Sequence, residues 1–211
     1  MATFEKGILG GFSGKVGTVI GGNWKGIDYM RSKSSKRTFM PSQKQLEQQL
    51  KFALIMRFLQ PMASLLKVSF EKFAIRKTGI NGAFAYNFRE AITGTFPDYV
   101  LDYSKALVSR GSLPNVLAPT VIAGAGSVLT WSWNDNSGQG ASSTDMVILV
   151  AYCPALRQAI YLNGGSRSDL TGDLNLLSFK GQEVATYITL FSEDGRMAAS
   201  SIFTGEVTVA P

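Results

Sequence analysis

The stretch SQKQLEQQLKFALIMRFLQPMASLLKVSFEKFAIRK, residues 42–77, is the longest helical signal in the chain, and the rest is read outward from it. Leu46, Leu50, Ala53 and Leu54 recur at spacings of three and four, which places them on one face of a helix. Ser42 with Gln45 three residues on has the form of a capping box, and Pro41 stands just outside it. Between Phe52 and Leu59 only Arg57 is polar, so this half needs cover on nearly every side. Pro61 removes a backbone donor and should break or kink the helix. Met62, Leu65, Leu66, Phe70 and Phe73 then restart the period, and a buried helical hairpin or kinked pair is expected. None of these residues is a reactive group.

On the N-terminal side, residues 7–30 read GILGGFSGKVGTVIGGNWKGIDYM. KVGTVIGG and NWKGIDYM look like two short strands joined through Gly21, Gly22 and Asn23, a natural hairpin turn. GFSGKVGT lacks the spacer of a phosphate-binding Walker loop. Gly10-Gly11-Phe12-Ser13-Gly14 reads as a tight structural turn, with an anion-wrapping backbone as the alternative. Residues 31–37, RSKSSKR, hold Arg31, Lys33, Lys36 and Arg37. Such a segment is either a solvated connector or a phosphate-neutralising patch, with Trp24, Tyr29 and Phe39 near enough to stack on bases.

On the C-terminal side, Gly79 reads as a helix stop and residues 81–93 as a third helix ended by Gly94. Phe96-Pro97-Asp98 marks a boundary, because a residue before proline avoids helix. Beyond it the period becomes alternating, with strands expected near 100–109, 120–123, 127–133, 145–152, 159–162, 173–177, 183–190 and 200–209. Turn signals such as Asn163-Gly164-Gly165 and Glu193-Asp194-Gly195 separate them. Short strands at this density point to an immunoglobulin- or fibronectin-like sandwich with Trp131 or Trp133 in its core and Tyr187 on the tyrosine-corner strand. In the loop 133–138 Asp135 is the sole carboxylate, so turn chemistry explains it better than calcium. Cys153 reads as a small packing residue.

The fold class is therefore α+β: a glycine-rich hairpin and a helical hairpin over residues 1–96, then a β-sandwich domain over residues 97–211. The first segment carries 15 Lys+Arg against 5 Asp+Glu and the second 6 against 10, net +10 and −4, which sum to the chain's +6. Of 211 residues 45% are hydrophobic and 17% charged, a globular balance. No continuous apolar run reaches the roughly 18 residues of a membrane span, and the glycine-broken N-terminus is a poor secretory signal. One cysteine permits no internal disulfide, so synthesis in the cytoplasm is expected, with incorporation into a particle or assembly. The chain has no histidine, which removes the usual base of serine and cysteine hydrolases and a common zinc ligand. No cofactor, metal or catalytic residue is expected.

GILGGFSGKVGTVIGGNWKGIDYMRS, FPDYVLDYSKALVSRG, WSWNDNSGQGASSTD and LFSEDGRMAASSIFTGEV resemble an uncharacterised protein family of Bacteroidota, a domain family of unknown function. The resemblance covers essentially the whole chain, and the glycine-rich block is its most specific part. It implies the source phylum and brings no site residues. Such proteins often show an Asn-Pro-Arg-Thr-like turn where this chain has Met40-Pro41-Ser42-Gln43.

The leading functional expectation is a non-enzymatic assembly protein that self-associates or holds a protein partner. Its N-terminal arm (Ile8, Leu9, Phe12, Val16, Val19, Ile20 and Trp24) would dock on a neighbour. The alternative, from another class, is phosphate-directed nucleic-acid binding by Lys15, Lys25, Arg31, Lys33, Lys36 and Arg37.

Overall fold

The structure, a computed structural model, describes residues 3–4, 10–24, 26–35, 40–73, 77–138 and 140–210. The chain forms two compact units, residues 1–42 and 43–211.

The first unit is an antiparallel sheet of four strands in sequential order: β1 (Thr3–Phe4), β2 (Phe12–Val16), β3 (Val19–Trp24) and β4 (Ile27–Ser32). The expected turn at Gly21-Gly22-Asn23 is corrected, because these residues lie inside β3. Val16 pairs with Val19 and Trp24 with Ile27, so the chain reverses at Gly17-Thr18 and again next to Gly26. Gly17 at φ 57° and Gly26 at φ 80° supply the left-handed backbone such reversals require.

The second unit begins with α1 (Gln43–Leu59), which runs through a 3-10 turn at Gln60–Met62 into α2 (Ala63–Ser69). The break falls at Pro61, where the missing donor places it. Ile55, Phe58, Leu59, Met62, Leu65 and Leu66 are buried, whereas Leu46, Leu50 and Phe52 stay exposed, so the expected cover of the first half is incomplete. Gly79 does not stop a helix; it starts α3 (Gly79–Glu90), capped by the Thr78 hydroxyl. A Cβ at Gly79 would stand 2.3 Å from the Leu66 carbonyl oxygen, so glycine lets α3 abut the end of α2. Gly94 likewise ends no helix; at φ 88° it belongs to the hairpin of β5 (Ile92–Thr95) and β6 (Asp98–Leu101).

β6 stops at Leu101, short of the strand expected to Ser109. Part of the following segment is a buried strap stitched to both sides. The Ser69 hydroxyl donates to the Val108 carbonyl, the Val108 amide donates to Ser201 Oγ, and the Asn87 side chain brackets Leu107. Then come β7 (Leu117–Ala123), β8 (Val128–Asn134), β9 (Met146–Cys153), β10 (Gln158–Ser166), β11 (Thr171–Asn175), β12 (Glu183–Phe191) and β13 (Ile202–Thr208). They make a three-stranded sheet ordered β11-β8-β7 and a four-stranded sheet ordered β10-β9-β12-β13.

The core between these sheets holds Leu129, Trp131, Trp133, Val147, Leu149, Ala151, Cys153 and Leu190, so both tryptophans and the free cysteine serve as packing residues. The other face of the four-stranded sheet is also buried. Val150, Tyr152, Ala185 and Tyr187 pack with Phe58, Leu59, Met62 and Leu66. The helices are thus a third layer, and the expected boundary at residues 96/97 is corrected: the helices and the sandwich share a core, and the seam lies at 42/43. That sharing explains why MVILVAYC and VATYITLF do not alternate, since a strand buried on both faces has no solvent side, and the hydroxyls of Thr186 and Thr189 are hydrogen-bonded where they are buried. Tyr187 is no corner residue against its neighbouring loop; its hydroxyl donates to the Tyr103 carbonyl at 2.9 Å on the helical side.

The 27-residue helical run Gln43–Ser69 reaches a mean hydropathy of 1.2 in an 18-residue window, enough by length and composition alone for a membrane span. The absence of such a segment, expected from the sequence, therefore does not follow from composition. The packing of Phe58 against Tyr152 and Tyr187, with ring centroids 5.0 and 6.2 Å apart, is that of a core helix.

Candidate functional site

The body's polar groups are mostly occupied with structure. Arg167, fully buried, donates from Nε to the Ser142 carbonyl at 3.1 Å and from Nη2 to the Pro114 carbonyl and Asp145 at 2.7 and 2.9 Å. Its Nη1 reaches Asn136, and Trp133 Nε1 donates to its carbonyl. This guanidinium ties four loop positions together at one end of the sandwich. The buried hydroxyls of Ser109 and Thr189 reach the Ala199 carbonyl. Asp135 accepts from the Ser137 amide and hydroxyl, a local turn whose hydrogen bonds hold its carboxyl below the ordinary value. A cavity of about 460 Å³ between α2 and the β12–β13 loop is lined in part by Lys72, Arg110 and Arg196. Arg196 is paired with Asp194 and Arg110 lies over the Tyr86 ring, so this cavity offers few uncommitted charges.

The N-terminal sheet is different. Residues 1–42 carry 7 Lys+Arg against 2 Asp+Glu, a net of +5, while residues 43–211 carry 14 against 13. The cross-strand register sorts its side chains onto two unlike faces. Lys15, Ile20 and Arg31 form one row across three strands. By alternation Gly22 with Tyr29, and Trp24 with Ile27, continue that face. The opposite face carries Val16 with Val19, Gly14 with Gly21 and Met30, and Asn23 hydrogen-bonded to Asp28.

Glycines bed an aromatic ring on each face. A Cβ at Gly21 would fall 2.3 Å from the Phe12 carbonyl oxygen and 2.6 Å from its ring, and one at Gly22 would fall 3.0 Å from Tyr29 Oη. The glycine pattern thus makes room for rings. The turn expected over Gly10–Gly14 is corrected in part, because Phe12, Ser13 and Gly14 lie in β2. A Cβ at Gly11 would stand 2.3 Å from Asp28 Cγ.

Of the expected nucleic-acid residues, Lys15 and Arg31 come together on one face. Lys33 follows β4, with its amide bonded to the Thr18 carbonyl, and Lys25, Lys36 and Arg37 lie outside the described residues. The expected assembly residues divide: Phe12, Val16 and Val19 belong with the Met30 face, and Ile20 and Trp24 with the Lys15 face, while Ile8 and Leu9 lie outside the described residues. Sequence reasoning singled out Ile27 as an apolar arm residue that needs cover but missed Met30 and the placing of Tyr29 on Gly22. Setting the turns at Gly17 and Gly26 would have revealed both.

A family model matches residues 11–205, which takes in most of this sheet and nearly all of the body. No curated protein matches. Among solved structures, the crystal structure of chicken CNTN1 FN1-FN3 domains is similar at 12% identity and a TM-score of 0.36, over 49% of this chain and 34% of that chain.

Proposed function

Because the chain belongs to the family of unknown function DUF6266, no activity comes with membership, and we propose from the geometry that it is a non-enzymatic structural protein of an assembly or particle. In this reading the N-terminal sheet docks on a neighbouring copy through its Val16–Val19–Met30 face. The observation that carries it is the exposure of that face, with Val16 at 50% and Met30 at 72%, in a unit separate from a body whose two cores are filled without it. Large apolar side chains gain about 1.5–3 kcal/mol each on full burial, so such a face is stabilised by cover. β4 is also an edge strand, able to accept a neighbour's strand. The exposed Leu46, Leu50 and Phe52 of α1 are apolar surface that a neighbour's sheet can cover. We read the body's strand order as fibronectin-type, a fold-level analogy that adds no residue to the argument.

Light scattering on the full chain and on residues 43–211 tests the reading. The full chain should be multimeric and the truncated chain monomeric, with its melting transition intact. A full chain that remains monomeric to high micromolar concentration overturns the proposal. A truncated chain that assembles equally well removes the sheet as the device.

A further inference from the structure

We propose that the other face of the N-terminal sheet binds single-stranded nucleic acid, with bases stacked on Trp24 and Tyr29 and phosphates held by Lys15 and Arg31. This goes beyond the assembly reading and uses the opposite face, so either stands if the other fails.

Three observations converge. Trp24 and Tyr29 are 52% and 46% exposed, which is unusual area for aromatic rings without a packing role. Tyr29 lies across Gly22, since a Cβ there would stand 3.0–3.4 Å from its Oη, Cζ and Cε1. The outer end of the ring therefore lies over the Gly22 backbone, while nearly half of the residue stays open for a base to cover. The charges sort with the rings: Lys15 and Arg31 share this face, while Asp28 lies on the opposite one and is engaged by Asn23. Among the described residues of β2 to β4, this face is cationic and aromatic without a carboxylate.

The choice of a single strand over a duplex follows from spacing. Trp24 and Tyr29 are diagonal neighbours on adjacent strands, roughly 7–8 Å apart. Bases laid on two rings at this lateral spacing lie side by side, and bases inside a duplex have their faces covered by stacked neighbours, so splayed, unpaired bases reach both rings and a stacked duplex does not. Ile20 and Ile27 fill the space beside the rings with apolar surface that a base covers and a hydrated phosphate does not. No hydrogen-bond code is presented, so the binding is without sequence preference.

Fluorescence anisotropy of the full chain with labelled oligo-dT, with the matching dA:dT duplex, and sedimentation with phosphatidylserine vesicles test the proposal. Oligo-dT should bind at low salt, more tightly than the duplex or the vesicles. Trp24→Ala and Tyr29→Ala should each weaken it roughly ten-fold, whereas Trp24→Phe and Tyr29→Phe, which keep a ring, should stay within about two-fold. Lys15→Gln and Arg31→Gln should each reduce the slope of log affinity against log salt by about 0.7. Ile122→Ser, an exposed position on the body's three-stranded sheet, should bind as the unaltered chain does. The proposal is overturned by absence of binding at low salt, by equal affinity for duplex, by vesicles binding in preference, or by indifference to both alanine variants.

Discussion

Cutting the chain at residue 97 should destroy the sandwich, although its strands would all remain. The fragment 98–211 keeps every strand of the two sandwich sheets but loses β5 and, from the outer face of the four-stranded sheet, Ile55, Phe58, Leu59, Met62, Leu65, Leu66 and Phe70. Val150, Tyr152 and Tyr187 then lose much of their cover, as do the partly buried Ile148, Tyr161 and Phe203. Residues 102–108 stay in the fragment and still shield part of that face. Taking half of the full-burial value of about 1.5–3 kcal/mol for each of these six side chains gives on the order of 5–9 kcal/mol. A domain of this size has only about 5–15 kcal/mol of net stability, so the loss removes most or all of it. Circular dichroism and calorimetry on 98–211 should show no cooperative transition. The fragment 43–211 keeps both cores and should melt cooperatively near the full chain's midpoint. A cooperative melt of 98–211 at that same midpoint would refute the shared core and restore a boundary at 96/97.

Phe58→Ala should cost about 3–5 kcal/mol in urea denaturation, because one ring meets Tyr103, Tyr152 and Tyr187 within 5.0–6.2 Å. Arg167→Met should destabilise by about 3–5 kcal/mol, since it strands the buried Asp145 carboxylate. The double variant with Asp145→Leu should recover part of that loss. Burial raises the Tyr103, Tyr152 and Tyr187 hydroxyls above their ordinary value near 10. The unfolded chain therefore loses these protons first, and stability present below about pH 10 should fall as pH rises above it. Thermal melts should show a smaller loss in Tyr187→Phe. At the acid end, hydrogen bonds lower the Asp102, Asp135, Asp169 and Asp194 carboxyls, with Ser104, Ser137, Ser166 and Ser192 as leading partners. Their contribution is present above the ordinary carboxyl value and should fade as pH drops below about 4, a trend that Asp169→Asn should flatten.

What the chain declares locally was legible without a structure. The break at Pro61 follows from a missing donor, and the strands around Trp131, Tyr152 and Tyr187 follow from runs of strand-forming residues between turn signals. The composition of residues 1–96 placed the positive charge in that part of the chain, and the register gathered Lys15 and Arg31 onto one face. Yet the turn in the N-terminal sheet was misplaced, because Gly21-Gly22-Asn23 and Gly17-Thr18 are equally good turn chemistry. Choosing between them decides which residues share a face, since a register change moves a side chain from one side of a sheet to the other.

The rest was settled only by contacts between distant parts of the chain. Tyr187 reaches Tyr103 across 84 residues and Tyr152 reaches Arg57 across 95. These pairings make the helices a layer of the sandwich and move the seam to 42/43. Nothing in the sequence around Arg167 marks it out; folding encloses it with Asp145 and Asn136. A pattern along the chain reports how often a residue turns inward; which surface waits there depends on what the fold brings opposite it. By itself the sequence determined the elements and the charge. Tertiary structure decided which apolar faces were already covered, and hence which were left for a partner.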